Sequence, residues 1–195
     1  MIKKIGALLI KQRTTITLLV VLILIVEDIW EKRIPYSLFS TEHLWGPVGA
    51  LIVLAGVALR SWAAGVLHKN EGLATQGPYV LIRHPLYVGS LLIGLGFCTI
   101  TGDPENIIAI LCLAMVIYVP KKIYEEKKLA NQYGADWSAY ASKVPALIPY
   151  KLSGISAACK GFSFRCWLHN REYEAASVCL VGLVAMQVLR LFLKH

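Results

Sequence analysis

The chain has 195 residues, 56% of them hydrophobic, and carries 20 Lys and Arg against 12 Asp and Glu for a net charge of +8. Its positive mean hydropathy is too apolar for a soluble domain and ample for several membrane spans. The basic residues sit at the ends of apolar segments, where anionic headgroups are the nearer partner, which sets nucleic acid aside.

In chain order, Met1 to Arg13 has the look of the positive region of a secretory signal. The apolar run after it has no small-residue cleavage site and ends in Glu27-Asp28 and Trp30, so it reads as a retained first span. The apolar runs Thr14–Ile29, Leu44–Leu67, Pro85–Thr101, Asn106–Pro120 and Ala175–Leu193 compare with a need of roughly 20 residues per span, with a lower limit near 17. Five spans are expected. The fourth is short, so it should continue helically through Lys121-Lys122 toward Leu129, with Pro120 able to kink it.

A cytoplasmic N-terminus places fifteen of the twenty basic residues inside, as the positive-inside bias requires, and leaves the C-terminus outside. The loop Thr101–Glu105, with acids and no base, then falls outside. Lys32 and Arg33 fall on the wrong side, where Glu27, Asp28 and Glu31 offer local neutralisation.

Between the fourth and fifth spans, Lys121–Tyr173 is polar and too short for a domain of its own, so it must pack on the membrane body or lie on the headgroups. Its tail, Ile155–Leu168, mixes Phe162, Phe164 and Trp167 with Lys160 and Arg165 and fits an interfacial segment. Five cysteines (Cys98, Cys112, Cys159, Cys166 and Cys179) show no CxxC spacing, and no disulfide framework or metal site is implied. The chain reads as one membrane domain over residues 1–195, with no internal repeat to suggest a transporter built from duplicated halves.

Polar groups frame one hydrophobic hairpin. The turn-rich loop from Gly72 to Tyr79 delivers the chain to Arg83-His84-Pro85, where Pro85 suits the first position of a helix. A helix start offers free amide donors and partial positive charge, so an anion could rest there with Arg83 as its partner. Gly94 and Gly96 on that helix read as packing positions, while Gly89 serves equally for packing or for a ligand. Some forty residues on, Glu125-Glu126 supplies two adjacent carboxylates. These cannot both point the same way on a helix, so one is expected in a pocket and the other toward Lys121, Lys122 or solvent. Arg60, inside the second span, is either a snorkelling cation or an anion clamp.

The ordered motifs resemble a known family. Leu59 to Trp62 (Leu-Arg-x-Trp), Gly77 to Tyr79 (Gly-Pro-Tyr), Arg83 to Gly89 (Arg-His-Pro-x-Tyr-x-Gly), Glu125 to Leu129 (Glu-Glu-x-x-Leu), Tyr133 to Tyr140 (Tyr-Gly-x-x-Trp-x-x-Tyr) and Val144 to Pro149 (Val-Pro-x-x-Ile-Pro) are similar to the isoprenylcysteine carboxyl methyltransferases and related phospholipid N-methyltransferases. The likeness covers residues 56–149, leaving 150–195 as an interfacial segment plus an extra C-terminal span. It implies an all-α integral membrane enzyme of about five transmembrane helices, with a cytoplasmic pocket for S-adenosylmethionine formed by the third and fourth spans and the segment after them. By the same likeness Tyr79, His84, Tyr87, Gly89, Glu125 and Glu126 are expected to bind the cofactor. Arg83, Glu125 and Arg60 are expected to serve the reaction, with Arg83 holding the acceptor's reacting anion.

A carboxylate acceptor is already ionised at neutral pH and needs no strong base, whereas an amine or thiol must first lose a proton. The expected acceptor is therefore lipid-like and bears a carboxylate or thiolate, such as an isoprenylcysteine, with membrane lipids as neighbours. A phospholipid amine, and a non-catalytic scaffold retaining the fold, are the alternatives.

Overall fold

The computed structural model describes residues 19–20, 23–68, 72–149 and 161–194. The expectations placed on Met1 to Arg13, on the start of the first span, on Lys69, on Tyr150–Lys160 and on His195 lie outside them. Among the described residues the chain is all-helical. After a helical stretch at 23–30 come α1 (Trp45–Val66), a 3-10 turn (Gly77–Val80), α2 (Pro85–Thr101), α3 (Pro104–Lys143), α4 (Phe164–His169) and α5 (Glu172–Lys194).

Three of these, α1, α3 and α5, are long and apolar enough to cross a membrane, and α2 is a shorter apolar helix of 17 residues. Their outward residues fit a lipid solvent: Leu51 and Leu54 on α1, Ile108, Met115 and Val116 on α3, and Val178, Val181 and Val184 on α5 are all exposed. At about 1.5 Å per residue the stretch of α3 before Gly134 alone extends about 45 Å, half as long again as a bilayer's hydrocarbon thickness of about 30 Å. Its second half, which carries the charges from Lys121 onward, therefore stands outside the apolar layer. The helix runs past Leu129 to Lys143. Pro120 lies inside it, and the non-helical backbone falls instead at Gly134 (φ 49°), a left-handed conformation that glycine adopts without strain.

The core is the α1–α2 pair. A Cβ built on Gly49 would lie 2.7 Å from the Gly96 carbonyl oxygen, and one on Gly96 would lie 2.7 Å from that of Gly49. Small residues thus let the two backbones touch, with Val53 and Ile100 fully buried between them. Gly94 faces Ile110 of α3, so both it and Gly96 are packing positions.

Residues 28–38 close the end of the bundle opposite the site. Tyr36 N–H donates to Ile100 O (2.8 Å), Arg190 to Pro35 O (2.5 Å), and Asn106 to the Asp28 carboxylate (3.1 and 3.0 Å). Arg33 is neutralised there by Glu31 at 2.6 Å and by the buried Asp103 at 3.2 Å. Local acids thus accompany the base at this end of the bundle.

At the site end, the last carbonyls of α1 would lack helical partners. The segment before α5 and the chain after α1 supply them. Asn170 Nδ2 donates to Ala64 O and Leu67 O, both at 2.8 Å; Ser163 N–H donates to Gly65 O at 2.8 Å; His68 Nδ1 donates to Val66 O at 2.9 Å.

Candidate active site

A cavity of about 750 Å³ opens where the C-terminal end of α1, the N-terminal end of α2 and the middle of α3 meet. Pro85 begins α2 as the sequence predicts, with His84 at its N-cap. The extended residues before it are pinned by the chain beyond α3, Arg83 N–H donating to Pro145 O (2.8 Å) and His84 N–H to Ala146 O (3.1 Å). The motifs at 83–89 and 144–149 are therefore neighbours through their backbones. The Tyr140 hydroxyl donates to Tyr79 O at 2.7 Å and ties the 3-10 turn to the same corner.

Of the pair Glu125-Glu126, Glu125 alone lines the cavity, and Glu126 turns to Arg83 and His84 rather than to Lys121, Lys122 or solvent. Glu126 Oε1 accepts from Arg83 (3.0 Å) and from His84 Nε2 (3.1 Å). Glu125 Oε2 accepts from the Tyr87 hydroxyl (2.5 Å), and its Oε1 lies 3.3 Å from Lys121 Nζ. Two carboxylates about 100° apart on one helix can do this because His84 and Tyr87, three residues apart on the other, receive one each.

The rings of His84, Tyr87 and Tyr118 form a continuous stack, with centroids 5.3 and 5.0 Å apart and planes within 7°. His84 is buried, and that burial lowers its pKa despite the opposing hydrogen bond to Glu126. It is therefore neutral at physiological pH. Because Nε2–H faces a carboxylate, the lone pair of the neutral ring is on Nδ1. Burial also pushes the Tyr79 phenol up, keeping it protonated.

Arg83 is held on several sides. One terminal nitrogen donates to Ala141 O (2.6 Å) and Val144 O (3.1 Å), the other to Glu126, and the guanidinium lies 5.7 Å from the Trp137 ring. Its Nε is buried with no hydrogen-bond partner among the described residues. Arg60, on the opposite wall, makes a two-pronged pair with Glu172 at 2.7 and 3.0 Å and also donates to Ser90 Oγ and Leu86 O. Arg60 is thus a paired cation that ties α1, α2 and α5 together.

Of the residues singled out from sequence, Arg60, Tyr79, Arg83, His84, Tyr87 and Glu125 line the cavity. Glu126 stands behind His84 and Arg83. Gly89 faces α1, where its missing Cβ would meet Arg60 Cγ at 2.5 Å and Gly56 O at 2.8 Å.

Sequence reasoning missed Tyr118, Ser90, Asn170 and Glu172. Tyr118 was within reach of it, since Tyr118, Lys121, Glu125 and Leu129 recur at three- and four-residue steps on one face of α3. Glu172 has no such signal, because its partner Arg60 is 112 residues away.

Residues 48–136 match the phospholipid methyltransferase family. The six motifs quoted above fall largely within that stretch. The cobalt-zinc-cadmium resistance protein of Cupriavidus metallidurans is 36% identical over 106 residues, which are 52% of this chain and 48% of that protein. The protein-S-isoprenylcysteine O-methyltransferase of Schizosaccharomyces pombe is 31% identical over 101 residues, 50% of this chain and 42% of the relative. The 7-dehydrocholesterol reductase of Danio rerio is 31% identical over 83 residues, only 17% of its own length. The match spans about half the length of the first of these relatives, and no solved structure matches the chain. The names thus support a methyltransferase-family membrane protein and not yet a particular reaction.

Proposed function

We propose that the chain is a membrane methyltransferase that takes its methyl group from S-adenosylmethionine and gives it to a lipophilic acceptor. The observation that carries this is the joining of His84, Tyr87, Glu125 and Glu126 in one part-buried network at the wall of a cavity of a size suited to a small-molecule ligand. The residues fit the cofactor: Glu125 is a carboxylate on the cavity wall for an ammonium or a ribose diol, Tyr118 at the end of the stack offers aromatic surface, and Asn170 Oδ1 is buried without a partner among the described residues.

When bound, S-adenosylmethionine supplies a methyl group activated by a sulfonium. The protein's contribution is positioning and exclusion of water, which together suffice for an in-line displacement in which opposite charges are neutralised. Glu126 fixes His84 and Arg83, and Lys121 with Tyr87 fixes Glu125. Tyr133, Trp137 and Tyr140 wall the cavity from the far end of α3. An ionised acceptor needs no base here, and neutral His84 could still accept a proton at Nδ1 from a protonated one.

The acceptor we favour bears a carboxylate, as in an isoprenylcysteine, oriented by the Nε–H of Arg83, which has no partner among the described residues, and entering between α1 and α3 from the bilayer. A phospholipid amine is the second reading. It is favoured by the pairing of both arginines with glutamates, which removes the repulsion that a cationic headgroup would otherwise meet. On either reading the cavity lies at the cytoplasmic end of the helices.

Calorimetry of the nanodisc-embedded protein with S-adenosylhomocysteine tests cofactor binding. Methyl transfer from labelled cofactor to prenylcysteine analogues and to phosphatidylethanolamine then separates the acceptors. Absence of cofactor binding would refute the reading, and transfer to the amine alone would decide for the second acceptor.

A further inference from the structure

On the wall of the cavity, which His68 helps to line, but outside the hydrogen-bonded network assigned to methyl transfer, the chain after α1 meets α4 in a cysteine–histidine contact. Cys166 Sγ lies 3.1 Å from His68 Nε2. The other ring nitrogen, Nδ1, is 2.9 Å from Val66 O, and a carbonyl can only accept, so Nδ1 carries the hydrogen. Nε2 therefore presents its lone pair to the thiol.

The arrangement is fixed from both sides. Ser163 N–H on Gly65 O and Asn170 Nδ2 on Ala64 O and Leu67 O hold the segment carrying Cys166 against α1. Phe162 presses on Gly65, where a Cβ would come within 2.2 Å of the ring. Cys166 remains partly exposed, whereas Cys98 and Cys179 are buried.

We propose that Cys166 is a nucleophilic thiol with His68 as its base, and that it is a modification site for small polar electrophiles, hydrogen peroxide among them. The thiol proton passes to His68 Nε2. Sulfur attacks one peroxide oxygen, forming the S–O bond as the O–O bond breaks, and the departing hydroxide takes the proton from the imidazolium and leaves as water. Cysteine is oxidised to sulfenic acid and peroxide is reduced to water. This reactivity does not depend on the methyltransferase reading and is measured without cofactor.

The test is the rate of alkylation of Cys166 by iodoacetamide, followed by peptide mass spectrometry on the full chain in nanodiscs. An unassisted thiol with an ordinary pKa of about 8.5 is about one-tenth ionised at pH 7.5, so His68→Ala should slow the reaction about tenfold there. Peroxide in the presence of dimedone should place the adduct on Cys166. Alkylation that is unchanged or faster in His68→Ala would show that the histidine merely covers the sulfur and would overturn the proposal. If that variant does not fold, alkylation of wild-type Cys166 at pH 7.5 no faster than that of a free cysteine peptide overturns it equally.

Discussion

Gly56 on α1 and Gly89 on α2 lie back to back: a Cβ on the first would come within 2.7 Å of the Gly89 carbonyl oxygen, and one on the second within 2.8 Å of that of Gly56. The methyl group of Gly89→Ala has nowhere to go except into α1 and the stem of Arg60. We expect a stability loss of about 1–3 kcal/mol, the usual cost of overpacking. Thermal unfolding in detergent measures it. Lost cofactor affinity with unchanged stability would instead place Gly89 against the ligand.

Removing one partner of the Arg60–Glu172 pair leaves the other charge stranded. Glu172→Ala should therefore cost about 3–5 kcal/mol, whereas the double variant Arg60→Met with Glu172→Leu should cost far less than the sum of its parts. Unfolding of the two single variants and the double variant closes the cycle.

Glu126→Gln weakens what holds both Arg83 and His84, and Glu125→Gln does the same for Tyr87 and Lys121. Charge-assisted hydrogen bonds of this kind contribute about 1.5–3 kcal/mol, so cofactor affinity should fall roughly ten- to a hundredfold in each, and likewise in His84→Ala. Calorimetry with S-adenosylhomocysteine is the readout. Wild-type affinity in all three would remove these residues from the site.

His84 makes stability depend on pH in a definite direction. Its folded pKa is depressed by burial, so below its ordinary value near 6.5 the unfolded chain binds a proton that the folded chain resists. Stability should fall as the pH drops from about 6.5 toward 5 and recover as it rises. The slope should be shallower in His84→Gln. Melting temperatures at fixed ionic strength across that range provide the check.

The sequence carried the elements that local chemistry specifies. Pro85 and the apolar run after it define α2 to the residue, and the motifs at 83–89, 125–129 and 133–140 meet around one cavity. The long reach of α3 was only partly legible, because nothing after Leu129 stops a helix until Val144-Pro145, and the break at Gly134 is a matter of one residue's backbone. The direction of Glu126 was illegible, since it depends on Arg83 and His84 at the start of another helix. So was Glu172: a glutamate at the start of a helix reads as a solvated, dipole-favoured residue until its arginine is seen beside it.

The partners that close the end of α1 come from residues 163–170, about a hundred positions further along the chain. During synthesis, α1, α2 and α3 can therefore be complete while the carbonyls of Ala64 and Leu67 still await Asn170 and Arg60 still awaits Glu172. Until that stretch arrives, a cation and a frayed helix end border the cavity. In its order of assembly, the wall outside the family-matched segment is the last part of the site to form.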